Sequence, residues 1–283
     1  MKNIRFLALL PVLMLSACGL GTKLSDEQAQ ERIDAIKEKS GSLADDENYQ
    51  NSKMSLVIDS YNIDTDGTKT KVKQSFKLES NQDGETHAYV EFITGSEKET
   101  TDFYLVNYDD SETEDDQIVY VKMYDSEAED KKEEIVCVSL GKNPSVFSSC
   151  VSAFASESSS ALLYFAAFAN PESVASSFES AAGDQYDTEI SYHSGINGDF
   201  SVKCVANLKA DVEVPDGSED LVAKQQTTIV TYSKDVLASF DSSSKTVAGD
   251  LTSVRGSAAY QKAKIKISLP SGWQNKLDAE DEE

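Results

Sequence analysis

The side chain in this sequence whose setting most clearly calls for chemistry is the thiol of Cys18. It closes the run Leu15-Ser16-Ala17-Cys18, behind an apolar stretch from Phe6 to Leu15 and a basic start at Lys2 and Arg5. Basic start, short apolar run and small residues before a cut are the parts of a secretory signal peptide. The stretch carries Pro11 and is half as long as the about 20 apolar residues of a spanning helix. Other chemistry is sparse. Only His87 and His193 are present, without the spacing of a zinc-binding helix. No glycine-rich phosphate loop and no G-x-S-x-G elbow occurs. Carboxylates are abundant, but none sits in an apolar run that would tune it as a general acid. The expectation is a protein that is not an enzyme and holds no cofactor or metal. Asn62-Ile63-Asp64-Thr65-Asp66-Gly67 is spaced like the start of a calcium loop, but Lys73 stands where a bidentate Glu is needed. Asp-Gly at that place predicts a hairpin turn instead. The cluster Asp109, Asp110, Glu112, Glu114, Asp115 and Asp116 reads as a solvated loop tip that discourages edge pairing.

The Leu15–Cys18 run resembles the lipobox of bacterial lipoproteins. The resemblance implies that the Cys18 thiol receives a diacylglyceryl group and that cleavage makes Cys18 the first mature residue. Two acyl chains anchor stably, since each buried methylene contributes about 0.8 kcal/mol and one chain alone is marginal. Residues 1–17 are then the signal peptide, 18–23 a lipidated tether, and the protein is held on the extracytoplasmic face of a bacterial membrane.

Removing residues 1–17 removes two cations and no acid, so the formal charge goes from −24 to −26. Such a chain will not bind nucleic acid through phosphates, which need clustered Lys and Arg. It is repelled by anionic headgroups within a Debye length of about 8 Å, so the body stands near the membrane without lying flat on it. Beyond Cys18 the cysteines are Cys137, Cys150 and Cys204. Cys137 and Cys204 fall in alternating strand patterns and read as small core residues. A Cys137–Cys150 bridge is compatible with export and is left open beside that reading.

These residues need elements to hold them. Ser25 to Lys39 predicts a helix, with Ser25 and Gln28 as a capping box and Gly41 as the stop. From Lys53 to Leu140 the apolar period is two, with strands around Met54–Ile58, Val72–Leu78, His87–Ile93, Asp102–Tyr108, Ile118–Tyr124 and Glu134–Leu140. Short polar connections between them predict an antiparallel meander. Residues 143–183 turn helical, over Ser145–Ala155, Ser158–Ala169 and Pro171–Ala182. Strands then return at Tyr186–His193, Phe200–Val212, Lys224–Tyr232, Val236–Asp241, Thr246–Val254 and Ala258–Leu269. Ala263, Ile265, Ile267 and Leu269 oppose Lys262, Lys264, Lys266 and Ser268, the signature of one buried and one wet face. The acidic end, residues 277–283, is a tail.

The fold class expected is α+β. About twelve strands form a strongly curved, half-barrel-like antiparallel sheet, with an N-terminal helix and the helical insert 143–183 covering its concave face. Residues 24–276 form a single domain in this reading, and a split near Gly183 is the alternative. The order of elements, and the consecutive pairings Thr227–Tyr232, Val236–Asp241 and Tyr260–Leu269 in particular, resemble the LolA/LppX-like lipoprotein carriers. The resemblance implies a half-open barrel that holds acyl chains between sheet and helices. It transfers no binding residue.

A sheet curled around an apolar interior encloses either side chains or a ligand. If a ligand, the lining expected is Met54, Leu56, Phe76, Phe147, Phe154, Leu162, Phe165, Phe168 and Val202. The same helical spacing serves a filled core equally. Two functions are compatible with this. One is a membrane-anchored protein that binds an apolar ligand such as a lipid acyl chain. The alternative is an envelope structural or protein-interaction lipoprotein with a packed core.

Overall fold

The computed structural model describes residues 20–43, 50–83, 85–107, 116–124, 133–142, 168, 170–195 and 197–271. Among these, twelve strands join in one antiparallel sheet. They are β1 (Thr22–Lys23), β2 (Ser52–Ile63), β3 (Lys69–Ser80), β4 (Thr86–Thr94), β5 (Glu97–Asn107), β6 (Asp116–Tyr124), β7 (Glu133–Lys142), β8 (Tyr186–Ser194), β9 (Phe200–Leu208), β10 (Ala223–Ser233), β11 (Val236–Thr246) and β12 (Leu251–Lys262). Two helices, α1 (Asp26–Leu43) and α2 (Pro171–Ala182), complete it.

The strand order is β1-β8-β9-β10-β11-β12-β2-β3-β4-β5-β6-β7, and the sheet is open and curved, as expected. Two meanders, β2–β7 and β8–β12, meet where β12 pairs with β2 over their full lengths. The chain therefore leaves one meander at β7 and resumes at β8, near the other edge of the sheet. One end of the strands, called proximal here, holds the start of β2, the end of β3, the end of β8 and the whole of β1. The distal end holds the β2–β3 turn.

Local chemistry explains the elements. The capping box forms as predicted: the Gln28 N–H donates to Ser25 Oγ at 3.3 Å and the Ser25 N–H to Gln28 Oε1 at 3.2 Å. The helix runs past Gly41 to Leu43. In α2, Asn170 caps by accepting from the Glu172 N–H at 3.0 Å, Pro171 takes the first helical position, and Gly183 closes the end with φ 63°. The loop at Asp64–Gly67 is a turn. The Gly67 N–H donates to the Asp64 carbonyl, and the Thr68 N–H donates to Asp66 Oδ1, which holds the Asp66 carboxyl below its usual range.

The second meander departs from the predicted boundaries. β11 continues to Thr246, and a single strand, β12, replaces the predicted Thr246–Val254 and Ala258–Leu269. β9 stops at Leu208, four residues before Val212. Thr22–Lys23, expected to be tether, pairs with β8. Polar residues in β11 (Asp241-Ser242-Ser243-Ser244) hid its length, because their ladder bonds come from the backbone. β11 also bulges: Thr231 pairs with Ser239 but Tyr232 with Leu237. The extra residue, Ala238, lets Leu237 and Phe240 both face inward. The predicted helices Ser145–Ala155 and Ser158–Ala169 lie outside the described residues, except for Phe168, which is helical.

Candidate functional site

The inner face of the sheet carries unbroken rows of cross-strand neighbours. One row runs Tyr192, Val202, Val230, Phe240, Gly256, Ile58, Gln74 and Phe92, from β8 to β4. Another runs Tyr260, Met54, Leu78, Ala88 and Phe103. A third sets Leu56 opposite Phe76 and Phe76 opposite Val90. Period-two patterning makes such rows, since every second side chain lands on one face. Gly256 is required in its row. A Cβ there would stand 2.0 Å from the Phe240 ring, which lies across the gap.

Two helices roof this floor. α1 crosses the proximal end and buries Ala29, Ile33 and Ile36, spaced for one helical face. α2 lies over β8 and β9 and buries Val174 and Ala175. Between roof and floor sits Phe168, whose ring centroid is 4.8 Å from that of Phe240. The Tyr232 hydroxyl donates to the Phe168 carbonyl at 2.7 Å. Burial pushes that phenol well above its ordinary pKa.

Polar ties at the rim hold the roof. Arg32 Nη2 of α1 donates to the Gly198 carbonyl at 3.2 Å and lies 3.0 Å from Asp235 Oδ1, reaching the turns after β8 and β10 together. Lys37 of α1 donates to Glu172 of α2 at 2.6 Å. Both pairs are partly exposed, so solvent and salt screen them and they hold the roof weakly. The roof is therefore held by apolar contact more than by charge.

Of the residues expected to line a cavity, Met54, Leu56, Phe76 and Val202 lie in one buried cluster, with Phe168 packed against it. Leu56 is 1% and Val202 0% exposed, so protein already covers them. Phe147, Phe154, Leu162 and Phe165 lie outside the described residues. Ile36, Val90, Phe103, Val230, Tyr232 and Phe240 join the same cluster without having been singled out. Their signal was the strand and helix periodicity itself. Cys18 and Cys150 lie outside the described residues. Cys137 lies on β7 opposite Tyr120. Cys204 is buried and free, and burial pushes its thiol up to about 12, which keeps it unreactive.

No protein-family model and no curated protein matches the chain. Solved structures with a similar arrangement include a DUF1329 family protein from Desulfovibrio piger, 13% identical, covering 87% of this chain and 96% of that one at a TM-score of 0.24. A β-barrel-like DUF1849 domain protein from Brucella abortus is 9% identical, covering 76% and 99% at a TM-score of 0.19. A Vibrio parahaemolyticus domain provisionally assigned to outer membrane lipoprotein sorting is 10% identical, covering 88% and 98% at a TM-score of 0.22. At these scores the likenesses say nothing about the site, whose chemistry lies in this chain's own residues.

The outer face is wet and charged. Lys53 pairs with Glu79, Lys71 with Asp59 at 3.3 Å and Arg255 with Asp241 at 2.9 Å. His87 donates to Asp102 at 2.8 Å and stacks on Tyr104. His193 lies 3.1 Å from Ser191 Oγ on β8. Burial, then Lys203 and Lys23, push the His193 pKa down. The two histidines stand on separate strands. Among the described residues, no group of three or more His, Cys, Asp or Glu side chains is placed to hold a metal. No described helix is long and apolar enough to cross a membrane.

Proposed function

We propose that this protein is a lipid-anchored component of a bacterial cell envelope, fixed by Cys18 on the extracytoplasmic side. It takes an apolar chain, such as a lipid acyl chain, between its curved sheet and the helices above it. One observation supports this most. The apolar floor of β2–β5 and β9–β11 is roofed by α1 and α2, which no sheet ladder fixes and whose rim ties are exposed ion pairs. Lifting such a roof breaks side-chain contacts and weak pairs but no backbone ladder. The floor beneath it is apolar, the character of surface that an acyl chain covers.

Native mass spectrometry tests the reading on protein beginning at Gly19. β1, the first described element, starts at Thr22, so every described strand and helix is retained. Co-purified lipid, and displacement of a fluorescent fatty acid, are expected. Ala206→Trp, which crowds the buried floor between β8 and β10, should abolish both and lower the melting transition without removing it. Finding neither lipid nor displacement sinks the ligand. The exposures of Leu56 and Val202 would then favour the second reading, an envelope interaction protein with a filled core. The anchor has its own test. Labelled palmitate should appear on the native protein and be lost in Cys18→Ala.

A further inference from the structure

The last described segment breaks the phase of the strand before it. In β12 the inward positions are Val254, Gly256, Ala258 and Tyr260, all even-numbered, opposite Ser60, Ile58, Leu56 and Met54. Beyond Lys262 the apolar residues are Ala263, Ile265, Ile267 and Leu269, all odd-numbered. Alternation is strict in a strand, so continuing the ladder would send these residues to the outer face. The ladder ends instead. Lys262 pairs with Ser52, the Ala263 N–H donates to the Asn51 carbonyl at 2.8 Å, and no strand is formed from 263 to 271. Burial still alternates along the segment. Ala263, Ile265, Ile267 and Leu269 are half-buried, whereas Lys264, Lys266 and Ser268 are exposed. An extended chain therefore rests its apolar side on the protein and turns its lysines to solvent.

Its charge is as unusual as its phase. No Asp or Glu occurs between Asp250 and Asp278, a stretch that carries Arg255, Lys262, Lys264, Lys266 and Lys276 in a chain of net charge −24. Its position adds a third observation. The segment leaves the sheet at the proximal end, and Thr22 and Lys23 pair with Ser194 and His193 at that same end. Three residues, Gly19 to Gly21, separate Cys18 from Thr22, so the four Cα–Cα steps reach at most about 14 Å.

We propose that residues 263–271 form a strap that docks through Lys264 and Lys266 on an anionic phospholipid surface, turning the proximal end of the protein toward the bilayer. Which end faces the bilayer rests on the Cys18 anchor, whereas the affinity for anionic lipid does not. Lysines near an anionic leaflet are attracted over about a Debye length, some 8 Å at physiological salt. The remainder of the chain is acidic and is repelled over the same distance. The Cys18 tether sets which end lies near the lipid, and the strap lysines supply attraction there against the exposed carboxylates of α1 at the same end, Asp26, Glu27, Glu31, Asp34 and Glu38.

Vesicle flotation tests the strap on the protein beginning at Gly19, which carries no acyl group. It should float with vesicles containing phosphatidylglycerol at low salt and stay down with pure phosphatidylcholine. Binding should vanish near 1 M salt, where the Debye length is about 3 Å. Lys264→Glu with Lys266→Glu should weaken it by about tenfold or more without moving the melting transition. Failure of the parent protein to float with phosphatidylglycerol overturns the proposal, as does binding that the charge reversals leave unchanged. Self-association lost in the same double variant, without vesicle binding, assigns the strap to a second copy and also overturns it. Absence of palmitate on the native protein removes the anchor and leaves the flotation result standing.

Discussion

The proximal and distal halves of the inner face belong to the same strands and the same side of the sheet, yet among the described residues only one of them is a core. On β2, Met54, Leu56 and Ile58 are buried, whereas Ser60 is half-buried and Asn62 exposed. On β3, Leu78 and Phe76 are buried, while Val72 is half-buried and Thr70 exposed. Burial on β9 continues further toward the distal end, to Ala206, because α2 lies over that strand. Where no described helix covers the floor, burial ends near the row of Gly256 and Ile58. Strand pairing is equally regular in both halves. Among the described residues, a half-barrel of this kind is thus held at one end by packing and at the other by its ladder alone.

The largest test of that contrast compares two truncations. Leu56→Ala should cost about 2–5 kcal/mol in denaturant unfolding, as expected for a fully buried leucine. Val72→Ala, on the distal half, should cost less than about 1 kcal/mol, because little apolar area leaves the core. Equal costs would show that the distal half is covered as well. A smaller effect sharpens the boundary row. Gly256→Ala forces the Phe240 ring to move and should destabilise by about 1–3 kcal/mol. Phe240→Leu should suppress part of that cost in a double-mutant cycle, and additive costs would disprove the contact.

The smallest effect is read through pH. Cys204 lies under α2 in the packed region, and its folded pKa, about 12, stands above its ordinary value near 9. Stability from keeping the thiol neutral is therefore present below pH 9 and is lost as pH rises from 9 toward 12. Cys204→Ala should flatten the alkaline limb of the stability profile over that window. In the parent protein the thiol should react with a thiol reagent at neutral pH only as fast as the roof opens. Ready labelling of the folded protein at Cys204 would show that the roof opens there without global unfolding.

Much of the fold was legible in the residues. The alternation of Phe200, Val202, Cys204 and Ala206 marked a face as well as a strand, and all four are buried. Ser25 with Gln28, and Pro171 with Gly183, marked helix ends through donors and dihedrals that are local to the chain. The candidate site was readable only in part. Met54, Leu56, Phe76 and Val202 were identifiable as inward residues, because inwardness is a matter of period. Helices over the concave face were expected too, but which inward residues they close off was not, because those contacts join segments distant in sequence. The Ala263–Leu269 alternation was the misleading case. Its pattern is clean, but its phase is opposite to that of the strand it follows, and phase acquires meaning only against a partner.

The sequence by itself determined the pattern of an export signal, the Cys18 motif, the acidic balance, the two helices with their caps, and which side of most strands is apolar. These depend on interactions within a few residues of each other. Tertiary structure alone decided that β12 joins β2, that Ala238 bulges to bring Leu237 and Phe240 inward together, and that one half of the inner face is closed. Each of those depends on a register between segments far apart in the chain. Local propensity carries no information about such a register, and side-chain packing chooses it.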